Sequence, residues 1–167
     1  MSDATFEEGR ERPLRLLARD AQDLRVISAL LQDAVMTGAD LRYDARRRRF
    51  SLLVNRFRWE DRDRAEARGQ GYERVRAVVD FADVRAARHQ GLEARGADTV
   101  LALLAIVWEP AAGEAQADAP AGPGRVTLVF SGDGALALDV DCLEVQLCDV
   151  TRPYVAPARR APAHRIE

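Results

Sequence analysis

All 25 basic residues of this 167-residue chain are arginine, and that limits the chemistry it could perform. Without lysine there is no Schiff-base amine, no P-loop lysine and no lysine general base. What remains are charged guanidinium forks suited to carboxylates and phosphates. Four of them stand in a row, Arg46–Arg49. Arg56 and Arg58 follow two residues apart, on one face of a strand, with Tyr43, Phe57 and Trp59 nearby. Arginine interleaved with aromatics suits an acidic protein surface, an anionic ligand, or nucleic acid held by its phosphates and stacked bases. Arg46, Arg48, Arg56, Arg58 and Trp59 are therefore the candidate binding residues. The competing reading is a solvated tip whose arginines pair with Asp61, Asp63 and Glu66.

Other chemistries find less support. The two histidines are His89 and His164. No CxxC, HExxH or similar spacing calls for a metal, and no glycine-rich phosphate loop calls for a cofactor. Asp139, Asp141 and Glu144 are acids near one strand end, and with His89 they would form an acid–base site if the fold made them converge. Cys142 or Cys148 would need a basic neighbour to become a thiolate nucleophile. In one continuous strand they would share a face at roughly 20 Å, too far apart for a disulfide. Buried free thiols in a reducing compartment are the expectation. Ser131 in FSGDG is not a nucleophile elbow; it belongs to a turn.

A formal net charge of -2 conceals three segments of different sign. Residues 1–41 carry five arginines against eight acids, residues 42–76 twelve against six, and residues 77–167 eight against thirteen. The middle segment thus sets up a local basic field that could steer an anionic partner. Apolar residues at 47% and charged residues at 31% are ordinary for a globular chain. Residues 1–20 lack the apolar core of a signal peptide. The longest apolar run, Val100–Trp108, is far too short to span a membrane, so a cytoplasmic location is expected.

The elements that must position these residues are mostly strands. Leu14–Ala18 is a short strand. Asp20–Val35 is the one main helix, capped by Asp20, with Leu24, Ile27, Leu31, Ala34 and Val35 at helical spacing and Gly38 available to close it. Ala34–Thr37 reads alternatively as the start of a strand. Leu41–Tyr43 and Arg49–Trp59 form a hairpin around Asp44–Arg48. Along its second strand the apolar phase changes near Asn55, which requires either a bulge or burial of both faces. Glu60–Gly71 is a charged loop. Tyr72–Gln90 is one bent strand, or two strands around Asp80–Asp83. Thr99–Trp108 is a central strand buried on both sides. Arg125–Phe130 and Ala135–Val140 flank the Ser131–Gly134 turn as a hairpin. Cys142–Val150 ends the domain as strand or helix. One domain is expected over residues 14–150, with flexible tails at 1–13 and 151–167 and a flexible loop at 111–124.

Several stretches together resemble a known family. They are LLxxDxxDLxxISAxLQDAV at Leu16–Val35, LVNRFxWE at Leu53–Glu60, LLAIxxEP at Leu103–Pro110, and VTLVFSGDGALALDVDCLEVQLCDV at Val126–Val150. In these the chain is similar, from Leu14 to about Val150, to a bacterial, mainly alphaproteobacterial family, domain of unknown function 2948. The resemblance implies a small cytoplasmic protein without assigned activity and supplies no catalytic residues.

The expected fold is α+β: a curved antiparallel sheet or partial β-barrel, of pleckstrin-homology-like type, packed on the helix Asp20–Val35. Its core should draw on Leu24, Ile27 and Leu31, on Phe50, Leu52, Val54 and Val79, on Leu101, Leu103, Ala105 and Val107, and on Leu128, Phe130, Leu136, Leu138 and Leu143. The leading function is a non-enzymatic binding or adaptor domain, engaging a protein, an anionic ligand or a second copy of itself. The alternatives are a small enzyme using Asp139, Asp141 or Glu144, and a nucleic-acid binder using the basic hairpin.

Overall fold

The structure, a computed structural model, describes residues 13–67, 69, 73–92, 98–111 and 122–155. Among these residues, eleven antiparallel strands and one main helix make up the fold. The strands are β1 (Arg15–Ala18), β2 (Val35–Thr37), β3 (Leu41–Asp44), β4 (Arg49–Phe57), β5 (Glu73–Phe81), β6 (Val84–Gln90), β7 (Val100–Pro110), β8 (Gly124–Phe130), β9 (Ala135–Val140), β10 (Val145–Asp149) and β11 (Tyr154–Val155). Neighbours run in the order β1-β10-β5-β4-β2-β7-β8-β9-β6, with β3 added to β4 and β11 to β5. The sheet is strongly curved without closing into a barrel. The proposed tails 1–13 and 151–167 and the proposed loop 111–124 fall largely on residues outside those described.

The helix, α1 (Ala21–Leu30), starts where its cap dictates: the Asp20 carboxylate accepts the Asp23 N–H at 2.8 Å. Leu24 and Ile27 are buried, and the Ser28 hydroxyl accepts the Ile106 N–H at 3.0 Å, tying the helix to β7. Its end is earlier than the helical spacing of Ala34 and Val35 predicts. Asp33 turns left-handed (φ 63) and donates its N–H to Leu103 O, while Ala34 O accepts the Leu103 N–H, both at 2.8 Å. Backbone bonds to β7 thus replace the last helical turn, and Val35 opens β2. Gly38 does not close the helix; it begins a 3-10 turn (Gly38–Asp40) boxed by Thr37 and Asp40.

The β3–β4 and β8–β9 hairpins form as their turn residues require, with Gly132 and Asp133 both left-handed. Tyr72–Gln90 resolves into two strands, β5 and β6, around a turn in which Asp83 is left-handed. The charged segment after β4 is not all loop: it holds a 3-10 turn (Trp59–Asp61) and α2 (Arg62–Ala67), which carries an Arg62–Glu66 pair at helical spacing. Of Cys142–Val150, Val145–Asp149 is strand.

Two phase questions have definite answers. The β4–β5 ladder runs unbroken from Phe50 to Phe57, so there is no bulge at Asn55. Both faces of β4 are buried at that end: Arg56 continues the inward row of Phe50, Leu52 and Val54, and Phe57 is buried on the other side beside Trp59. In β7 the expected two-sided burial fails. A register shift between Leu103 and Ala105 keeps Leu101, Leu103 and Ile106 inward and leaves Leu104 and Val107 exposed. Val107 and Ala105 are therefore not core residues, and Ile106 is. The remaining residues of the expected core are buried.

Candidate functional site

The arginines proposed as one patch divide into two groups, because Arg49 and Arg56 lie at opposite ends of β4, roughly 23 Å apart at strand rise. Arg56 is fully buried. Its guanidinium reaches over β5, past Val75 and the small Ala77, to Asp149 on the inward face of β10. Nε and Nη2 donate to the two Asp149 oxygens, each at 2.9 Å. Nη2 and Nη1 donate to Glu60 at 2.7 and 3.0 Å, and Nη1 also to Phe57 O at 3.4 Å. All five N–H groups are thereby used. Burial opposes the arginine's charge, but the hydrogen bonds to Glu60 and Asp149 outweigh it and raise its pKa. Asp149 also accepts the Leu14 N–H at 3.1 Å, which fastens the start of β1.

Arg58 and Trp59 belong to the same end. Arg58 is nearly buried among Glu73, Asp61 and Glu60. The Trp59 indole N–H donates to Gln32 O at 2.9 Å, its ring meets Phe57 edge-on at 4.6 Å, and Arg62 lies over it at 5.8 Å. These groups hold the chain after β4 against the end of α1. Their donors point inward, so they are supports for the fold and not a surface.

The hairpin tip is different. Arg48, left-handed at φ 55, pairs with Asp141, and Arg47 lies 3.8 Å from Asp44. None of the ion pairs among the described residues engages Arg42, Arg46 or Arg49, all exposed. Arg42, Arg46 and Arg47 surround a depression of about 470 Å3 that contains one acid, Asp44. Of the five expected site residues, only Arg46 and Arg48 are at the tip; Arg42 and Arg49 join them there. Arg42 was legible as the polar middle of an alternating Leu41-Arg42-Tyr43 strand.

The acids set aside for catalysis do not converge. Asp139 accepts from Arg88 at 2.7 Å and Arg125 at 2.9 Å across neighbouring strands. The bond from Arg125, aided by that from Arg88 and only partly offset by burial, holds its carboxyl below the usual range. Asp141 pairs with Arg48 and Arg85, and Glu144 with Arg19 at 3.2 Å. His89 pairs across the sheet with Leu136, three ladder steps from Asp139. The Cys142 thiol donates to Asp83 at 2.9 Å; that bond, with burial and the nearby acids, pushes its pKa up to about 11, the opposite of an activated nucleophile. Among the described residues no group of three or more His, Cys, Asp or Glu could hold a metal ion. None of the described helices is long and apolar enough to cross a membrane.

A second depression was not foreseen. A cleft of about 420 Å3 opens between β3 and β6, with Leu41, Tyr43 and Phe50 on one wall and Ala87, His89 and Leu136 on the other. Tyr43 stacks on Phe50 at 6.1 Å, and its hydroxyl donates to Val84 O at 3.0 Å, closing one end. Its lining is drawn from strands far apart in sequence, which is why no local motif announces it.

No curated protein and no solved structure matches the chain. A family model described as a protein of unknown function (DUF2948) matches residues 14–164, nearly the whole length, and the chain belongs to that family.

Proposed function

We propose that this chain is a non-catalytic docking module, a single domain over residues 14–150 that binds an acidic segment of a protein partner at the β3–β4 hairpin. One observation carries the reading: among the described residues no ion pair engages the exposed Arg42, Arg46 and Arg49, while Arg48 and Arg56 of the same hairpin, and Arg58 just beyond it, are paired. Uncompensated guanidinium groups on one hairpin create a positive potential, and their planar forks match carboxylates in pairs. A protein partner is favoured over nucleic acid by the aromatics. Trp59 and Phe57 sit at the far end of β4, and Tyr43 is stacked inward on Phe50, so the tip offers bases no platform. The free Cys142 and Cys148 suit a reducing, cytoplasmic setting, and a pleckstrin-homology-like arrangement is the finer fold reading that accompanies this one.

The test is fluorescence anisotropy with a labelled hexaglutamate peptide at low salt. Arg42→Glu/Arg46→Glu/Arg49→Glu should weaken binding at least about tenfold, as expected for losing several charge-assisted contacts. Arg25→Glu, on the exposed side of α1, should leave it unchanged. Equal affinity for both variants, or no binding by the natural chain, refutes the reading.

A further inference from the structure

The two depressions at the hairpin share one wall. Along β3, Leu41 and Tyr43 line the apolar cleft, whereas Arg42 and Asp44 line the basic depression. β3 pairs on one side only, with β4; apart from the Leu41 N–H, which Gly38 O accepts at the start of the strand, no backbone hydrogen bond among the described residues is made from its other side. Every second N–H and C=O of an edge strand points away from its partner and is a template for a further strand.

We propose that the free edge of β3 is a strand-addition site for an extended peptide in which apolar and acidic residues alternate. The inference rests on the docking reading above and specifies the partner's backbone form and sequence pattern. A strand laid along β3 alternates its side chains between the same two faces as β3 itself. One set enters the cleft beside Leu41, Tyr43 and Phe50, where burial favours valine, leucine or an aromatic. The other set lies over the basic depression, opposite Arg42 and Arg46, where cross-strand pairing favours glutamate or aspartate. Asp44 already faces Arg47, so it repels an acid placed directly against it and sets the register with the acid at Arg42.

The opposite wall does not offer the same site. β6 also pairs on one side only, with β9, and its Ala87 and His89 face the cleft. Its outward arginines are committed, however: Arg85 to Asp141 at 3.0 Å and Arg88 to Asp139 at 2.7 Å. An acidic side chain on that edge would have to displace existing pairs, whereas on β3 it meets Arg42 and Arg46, which none of the ion pairs among the described residues engages.

The experiment uses the full chain, 15N-labelled, and two peptides of one composition: acetyl-Ser-Glu-Val-Glu-Val-Glu-Ser-amide, which alternates, and acetyl-Ser-Val-Val-Glu-Glu-Glu-Ser-amide, which does not. The alternating peptide is expected to bind at least about tenfold more tightly and to slow amide exchange at β3 at least about tenfold, as new ladder bonds require. Arg42→Glu/Arg46→Glu, both on the exposed face and away from the core, should abolish this binding. The same variant should accept a peptide with lysine in place of each glutamate. If both peptides bind equally, depend on the arginines and leave β3 amides unprotected, strand addition is overturned and the docking reading stands. If neither binds, both are overturned. A ten-nucleotide thymidine oligomer that displaces the peptides and binds more tightly than either overturns the choice of a peptide.

Discussion

Replacing Asp149 by alanine strips the buried Arg56 guanidinium of two hydrogen bonds and of its most deeply buried counter-charge. Hydrogen bonds to a charged group are worth roughly 1.5–3 kcal/mol each, and breaking a buried ion pair from one side costs roughly 3–5 kcal/mol. Both routes lead to a loss of about 3–5 kcal/mol for Asp149→Ala, or roughly 6–20 °C in Tm for a chain of this size. Arg56→Met should also be costly, because it leaves the Asp149 carboxylate, only 6% exposed, with the Leu14 N–H as its remaining donor. The double variant Arg56→Met/Asp149→Ala removes both buried charges. Glu60, whose side chain is 32% exposed, can then turn to water. The double loss should be smaller than the sum of the two single losses by about 2–3 kcal/mol. Urea unfolding of the four proteins measures this directly. A cost below about 1 kcal/mol for Asp149→Ala, or single losses that simply add, would refute the claim that a satisfied, coupled charge cluster holds this end of the sheet.

Two further predictions follow from the charge environment. Burial alone would raise the Glu60 pKa, but the hydrogen bonds and charge of Arg56 outweigh it and hold it below the ordinary value of 4.5. A carboxylate depressed in the folded state stabilises the fold above its unfolded pKa, and that contribution fades as pH falls through the folded value. Glu60→Gln should therefore lower the urea midpoint at neutral pH and flatten its decline on acidification; parallel curves would contradict the assignment. The Cys142 thiol, raised to about 11 by Asp83, should react with iodoacetamide at about pH 8 roughly 100-fold more slowly than an unperturbed thiol, and Asp83→Asn should restore much of the rate. Fast labelling of Cys142 in the natural chain would show that the Asp83 contact does not form.

Where turn chemistry and alternation agree, the strands stand where local reasoning places them. Ser131–Gly134 lies between two alternating runs, and β8 and β9 pair around it. Asp20 caps α1 as its position suggests. The end of α1 could not be read locally, because Ala34 and Val35 fit both a helical and a strand period. The deciding partner is Leu103, almost seventy residues away. In β7 the apolar run has no phase to read, since nearly every residue could face inward; the shift at Leu103/Ala105 makes the choice. The cleft between β3 and β6 was hidden for a related reason: its walls meet only through the order of the whole sheet.

The arginines show what local spacing can and cannot decide. Arg56 and Arg58 share a face, as a separation of two requires, but shared phase does not say which face or which end of the strand. Arg56 extends the inward row Phe50, Leu52, Val54, and Asp149 extends the inward row Val145, Leu147. Each is a lone charge in phase with an apolar face. A single charge of this kind argues against burial, because an unpaired ion inside the protein is prohibitive. Two of opposite sign, each one step beyond a core row, argue for a buried pair if their strands lie one strand apart, and β10-β5-β4 is that order. Arg42 is out of phase with Leu41 and Tyr43, on an edge strand; the acid in its cross-strand row, Asp80 on β5, is bonded by the intervening Ser51 on β4 instead. Both arginines thus have an acid in phase beyond one intervening strand; what separates them is the face, because Arg56 lies on the buried side, where Asp149 must answer its charge, and Arg42 on the exposed side, where water can.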